Sequence, residues 1–219
     1  MRQYAIDLDA AGDKAMAELQ RRRLLLVTDK SLPNLVTMIV GTPVRGSWWA
    51  HPLCHEIYMV SQHLERHADV LMVKLVNRKT TYVHRSLWPA LYAVASGREG
   101  WQMQGLSAAA RSLLTEVDDR GRLRLDELHS RRTMKEISEG ARTLESRLLV
   151  FGDDVHTDSG AHVKRIETWK RWASRASFVP DSRTSASEGR AALDSVAEDW
   201  RRHFETKVFL PWHAPTKVA

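Results

Sequence analysis

Apolar positions fall into two rhythms along this chain, one helical and one extended, and they alternate in a definite order. Thr133 and Glu136 open the best-marked helix. A threonine hydroxyl can take the N–H three residues on, while the glutamate reaches back to the threonine's own N–H. Ile137, Ala141, Leu144 and Leu148 then recur at spacings of four and three, one stripe of a helix. From Leu148 the pattern turns extended. Residues 148–151, 155–157 and 161–164 read as strand-like, with Gly152-Asp153-Asp154 as a corner and Asp158-Ser159-Gly160 as a turn. Upstream, Ser107 suits the cap of a helix that turns Leu106, Ala110, Leu113, Leu114 and Val117 inward. Asp118 to Gly121 then turns the chain, residues 122–125 make a short strand, and residues 126–129 make a brief helix.

Helix, short strand, short helix, long helix and hairpin together spell a winged helix-turn-helix. The helix beginning near Thr133 would be its recognition helix, entering a DNA major groove. The first hundred residues repeat that logic without repeating the sequence. Helices are expected over 13–26, through Ala15, Met16, Leu19 and Leu24, and from Ser31-Leu32-Pro33 to Gly41. A third is expected over 51–67, through Leu53, Ile57, Val60 and Leu64. A hairpin follows over 69–84, with Leu71, Val73 and Leu75 alternating onto one face and Asn77-Arg78-Lys79 at its tip. Ser86 suits the cap of a helix with Pro89 in its first turn and Gly97 at its end.

The expected fold class is α+β, mainly α with small β-hairpins, built as tandem winged helices with a C-terminal helix. Residues 1–100 would form the first module and 101–178 the second, with 98–105 as the joint. In the second, Ile166, Trp169 and Trp172 would be the core face of a helix over 166–176. Residues 179–219 would add a polar linker, a helix from Ala191 carrying Leu193, Val196, Trp200 and Phe204, and an apolar tail at 208–213. That tail suits docking on a domain, on a protein partner, or on a second copy in a homodimer.

Composition narrows the partners. Of 219 residues, 43% are hydrophobic and 27% charged, ordinary for a globular chain that builds its own core. A net charge of +6 favours an anionic partner, most simply double-stranded DNA. A single cysteine, Cys54, leaves no internal disulfide framework and suits a reducing compartment. No apolar run nears the roughly 20 residues of a membrane span, and residues 1–7 lack a signal-peptide core. The expectation is cytoplasmic and without membrane contact.

The cations placed where such modules meet DNA are Arg78 and Lys79 on the first hairpin, and Arg131, Arg132, Lys135 and Arg142 on or before the recognition helix. Lys164 and Arg165 lie on the second hairpin. Lys135, Arg142 and Arg147 are balanced by Glu136, Glu139 and Glu145, which argues against close reading of a groove edged with phosphates. Arg21-Arg22-Arg23 either touches phosphates or is a solvated helix face. Trp48 and Trp49, in a Gly/Ser/Pro-rich loop, either stack on bases or plug a gap between helices. His51 and His55, and His63 and His67, have helical i,i+4 spacing, but no third ligand is implied, so neither a metal nor a cofactor is expected.

The segment from Leu144 to Gly160, with its capped helix before it, resembles the winged-helix units of bacterial multi-winged-helix proteins, including the AlkZ-like DNA glycosylases. The resemblance is one of pattern and covers roughly residues 106–175. That family removes alkylated or crosslinked bases and carries a Gln-x-Gln catalytic motif, whose letters Gln102-Met103-Gln104 match here, though in the joint and not in the N-terminal module. The resemblance would make Gln102 and Gln104 orient a water, with Trp48, Trp49 or Trp101 stacking the extruded base and Glu56 supplying a carboxylate. No nucleotide-binding glycine loop, nucleophile elbow or Cys/His nucleophile pattern is present. Three functions follow: a non-catalytic DNA-binding regulator or accessory factor, a DNA-repair glycosylase or relative, and a protein-interaction scaffold.

Overall fold

A computed structural model describes residues 6–128, 132–156 and 162–213. In chain order the elements are α1 (Leu8–Arg22), β1 (Leu24–Leu26), α2 (Leu35–Val40), α3 (Cys54–Arg66), β2 (Val70–Lys74) and β3 (Thr80–His84). Then come α4 (Trp88–Ser96), α5 (Gly100–Met103), α6 (Ala108–Arg120), β4 (Arg122–Arg124), α7 (Met134–Ser146), β5 (Phe151–His156) and β6 (His162–Glu167). The last two are α8 (Trp169–Arg175) and α9 (Ala186–Phe204). The class is α+β, with two small antiparallel sheets of three strands each.

Two compact units emerge. One comprises Met1–Trp88 with Asp194–Phe209, the other Pro89–Leu193 with Leu210–Ala219. The division therefore falls at the start of α4 and not at residue 100. Residues 179–219 are shared between the units instead of standing apart.

In the first unit, α1 is opened by the Asp7 carboxylate, which accepts the N–H groups of Asp9 and Ala10 at 3.1 Å each. It ends where Arg23 turns left-handed, at φ 65°. The three leucines that follow were expected to continue the helix, but they form β1 and pair with β3 (Leu24 opposite Val83, Leu26 opposite Thr81). All three are buried, and a short all-apolar run has no period that separates strand from helix. The sheet order is β1-β3-β2. Ala15, Met16 and Leu19 of α1, Leu35 of α2 and Val60 and Leu64 of α3 pack with Leu25 and Tyr82 of the sheet. Fully buried Tyr82 keeps its hydroxyl satisfied by Ser61 at 2.7 Å.

The second unit has the same order of elements, with α6, β4, a 3-10 turn at Leu125–Glu127, α7, β5 and β6. Its sheet order, β4-β6-β5, is the counterpart of the first. Ser107 caps α6 through Ala110 N–H at 3.1 Å, and Gly121 ends it in the left-handed conformation glycine permits, at φ 75°. At α7, Thr133 and Glu136 form the expected capping box. Ile137, Ala141 and Leu144 meet Leu113, Leu114 and Val117 of α6 in one core, closed by Leu123, Val150 and Ile166. Burying a side chain such as Ile137 contributes about 2–3 kcal/mol.

Three expectations shift. Gly152, Asp153 and Asp154 are not a corner but part of β5, where Gly152 stands opposite Ile166 and the two aspartates meet cations on the neighbouring strand (Asp153 opposite Arg165, Asp154 opposite Lys164). Ile166 belongs to β6, and α8 starts only at Trp169, after Thr168 caps it. Finally, α9 begins at Ala186 and not at Ala191, where Ser185 and Glu188 satisfy each other's N–H groups at 2.8 and 3.2 Å. The turn at 158–160 and part of the brief helix at 126–129 lie outside the described residues.

Candidate nucleic-acid interface

α7 lays its apolar stripe on α6, which leaves Met134, Lys135, Glu139 and Arg142 on the exposed side. Lys135 and Arg142 are seven residues apart, two helical turns or about 10.5 Å along the axis, and so share a face. Neither has a hydrogen-bond or ion-pair partner among the described residues. Glu139 lies between them. Glu136 is turned back into the capping box, where the Thr133 N–H and hydroxyl hold its carboxylate at 2.9 Å each. Those two hydrogen bonds hold it below the usual carboxylate range. Arg132, before the helix, donates to the Ala108 carbonyl at 3.2 Å. Arg131 lies outside the described residues.

The hairpin cations are in a different state. Lys164 is held by Glu145 at 3.1 Å and Asp154 at 3.4 Å, and its side chain is only 27% exposed. Burial by itself would lower its pKa, but the two carboxylates more than offset that and hold it above the usual lysine value. Arg165 is bound in bidentate fashion by Asp153, at 2.9 and 2.5 Å. Asp153 and Asp154 were expected as a corner and Glu145 as balance for the helix cations, not as partners of Lys164 and Arg165. The run of two acids across a hairpin from a Lys-Arg pair was the available signal.

The first unit shows the same economy. Lys79 is paired with Asp29 at 2.6 Å. At the hairpin tip, the Asn77 N–H donates to the Phe209 carbonyl and its side-chain carbonyl accepts the Phe209 N–H, both at 2.8 Å. The Asn77 amide also donates to the Lys207 carbonyl at 3.2 Å. Part of the apolar tail therefore docks within its own chain, with Val208 buried. Arg78, in left-handed conformation at φ 59°, is exposed and has no partner among the described residues.

Of the two loop tryptophans, Trp49 does not plug a gap, while Trp48 is half-buried. Trp48 and Trp49 stack on each other at 4.0 Å, and Trp49 remains 60% exposed. Trp49 lies 5.9 Å from the ring of Tyr58 on α3, itself exposed together with Met59. An exposed aromatic and apolar group of this kind can stack on a base or cover a protein surface.

Gln102 and Gln104 do not present a pair of amides. Gln102 is fully buried: its carbonyl accepts the Glu99 N–H at 2.8 Å, and its NH2 donates to the Arg147 carbonyl at 3.1 Å. The Arg147 guanidinium reciprocates by donating to the backbone carbonyl of Gln102 at 3.0 Å and to that of Gln104. The Gln104 side chain is exposed. Trp101 donates to Glu99 at 2.9 Å. His51 and His67 each accept a backbone N–H two residues on, at 3.1 Å. Among the described residues no group of three or more His, Cys, Asp or Glu side chains converges, and no helix is long and apolar enough to cross a membrane.

Comparison of the chain with protein-family models, with curated proteins and with solved structures finds no match.

Proposed function

We propose that this is a non-catalytic DNA-binding protein built of two winged helices, acting as a regulator or accessory factor. One observation carries the reading. The order helix, strand, short helical segment (α2 in the first unit, the 3-10 turn Leu125–Glu127 in the second), helix, strand, strand occurs twice, each time with the first strand pairing the last and the last pairing the middle one. That order and pairing support a winged helix-turn-helix reading, in which α3 and α7 would be the recognition helices. The net charge of +6 supports an anionic partner. On α7, Lys135 and Arg142 are the cations left available for phosphates, with Arg78 on the first hairpin.

A random duplex titrated at about 50 and 200 mM salt tests the reading, because each phosphate neutralised adds about 0.9 to the slope of log affinity against log salt. Substituting Lys135→Gln and Arg142→Gln together should weaken binding without sequence preference and reduce that slope by about 1.8. Absence of salt-sensitive binding at the lower salt would overturn it.

A second reading, a protein-interaction scaffold, is favoured by a specific observation. Lys79, Lys164 and Arg165 are already paired within the chain, while Trp49, Tyr58 and Met59 lie open beside and on α3. The glycosylase alternative has no comparable support, since the Gln102 amide is committed to backbone partners.

A further inference from the structure

Within the first unit, the last turn of α1 and the last turns of α9 border a groove of about 470 Å³ that neither hairpin nor recognition helix touches. Arg21, Arg22, Arg23 and Arg202 line it, with Trp200 and Phe204 forming its apolar wall. Two carboxylates temper this charge. Glu18 binds Arg21 at 2.8 Å and also binds Arg22, and Asp199 binds Arg202 at 2.5 Å. Four guanidinium groups against two carboxylates and the carbonyl ends of two helices leave a small positive surplus.

Part of that basicity has a purely structural role, since cations favour the carbonyl ends of helices. Arg22 further lies over the Phe204 ring at 4.9 Å, which fixes its position. Arg23 is different. It occupies the left-handed position just past α1, where glycine or asparagine is the ordinary choice because a side chain is strained there. Its guanidinium has no hydrogen-bond or ion-pair partner among the described residues. A strained arginine with an uncommitted side chain, beside three others in an open groove, is a configuration that an oxyanion would complete.

We propose that this groove binds phosphate, through Arg23 and Arg202 with Arg21 and Arg22 as a fixed cationic floor. Phosphate is the fitting anion because guanidinium groups lining one groove suit a ligand with three or more acceptor oxygens. Its source is either a free phosphate ester or a backbone phosphate of nucleic acid. For the first source the inference is independent of DNA binding, and for the second it rests on the function proposed above.

The full chain and two variants, Arg23→Gln with Arg202→Gln and Asp199→Asn, are titrated with inorganic pyrophosphate by calorimetry and with a random duplex by fluorescence anisotropy. All of these side chains are at least partly exposed, and matched circular dichroism spectra and thermal midpoints verify the folds. If the source is a free ester, the double variant loses pyrophosphate affinity about tenfold or more while duplex binding stays unchanged. The Asp199→Asn variant gains affinity, by about threefold for each unit of charge on the ligand if the removed carboxylate stood roughly 6 Å away in water. If the source is the nucleic-acid backbone, the double variant lowers the salt slope of duplex binding by about 1.8. The groove proposal is overturned if neither probe's affinity changes in either variant. Duplex binding that persists unchanged in that case leaves the DNA-binding reading standing, whereas a wild-type chain that binds neither probe overturns both.

Discussion

Replacing Gly152 with alanine isolates one steric contact in the second unit. A methyl group there would stand 1.9 Å from Oε1 of Glu145, 2.6 Å from its Cδ and 3.0 Å from its Cγ. The backbone of Gly152 is not left-handed, so alanine meets no conformational penalty and the clash is the whole effect. Glu145 is nearly buried, at 8% exposure, and carries the 3.1 Å ion pair to Lys164. To admit the methyl, the carboxylate has to swing away. Lys164 would keep only Asp154, at 3.4 Å. Losing a part-buried pair costs about 1–2 kcal/mol after discounting for solvent, and repacking costs about 1–2 kcal/mol more. The lower chain entropy of alanine returns about 0.5–1 kcal/mol. The net destabilisation is therefore about 1–3.5 kcal/mol, or a midpoint lower by roughly 2–14 °C for a chain of this size. Thermal and urea melts of the wild type, Gly152→Ala, Glu145→Ala and the double variant close a cycle. With Glu145 shortened the obstacle is gone, so Gly152→Ala should then cost almost nothing. An equal cost in both backgrounds would refute the contact.

Two further outcomes concern pH. Burial pushes the Asp29 carboxyl up, but the Lys79 ammonium at 2.6 Å and the N–H groups of Ser31 and Leu32 at 2.9 and 3.0 Å outweigh it and hold the group below its ordinary value. Its contribution is present above the ordinary aspartate pKa of about 3.9 and is lost as pH falls through the lower folded value. The Asp29→Asn variant should be less stable than wild type by about 1 kcal/mol at neutral pH, and chemical denaturation should find that gap closing in acid. Lys164 works in the opposite sense: its folded pKa is raised, so its contribution is full below about 10.4 and disappears as pH rises above that. Alkaline unfolding of Glu145→Ala should therefore be less pH-dependent than that of wild type, and identical profiles would count against the pair.

The features legible in the chain alone are local. Capping and periodicity are short-range properties, so the box at Thr133 and Glu136, the stripe Ile137, Ala141 and Leu144, and the hairpin over 69–84 are legible from the chain alone. What depends on a distant partner is not. Leu24 to Leu26 became a strand only because β3 offers its edge, and three consecutive leucines carry no period that announces it. Asp153 and Asp154 read as a turn until the register set them against Arg165 and Lys164. The same pairing decided which cations stay available for a ligand. Two acids and a Lys-Arg pair on one hairpin hint at such neutralisation, but only the strand register decides which of them meet. The arginine groove was also the work of tertiary structure, because residues 21–23 and 199–204 come together only when the end of α9 returns to α1.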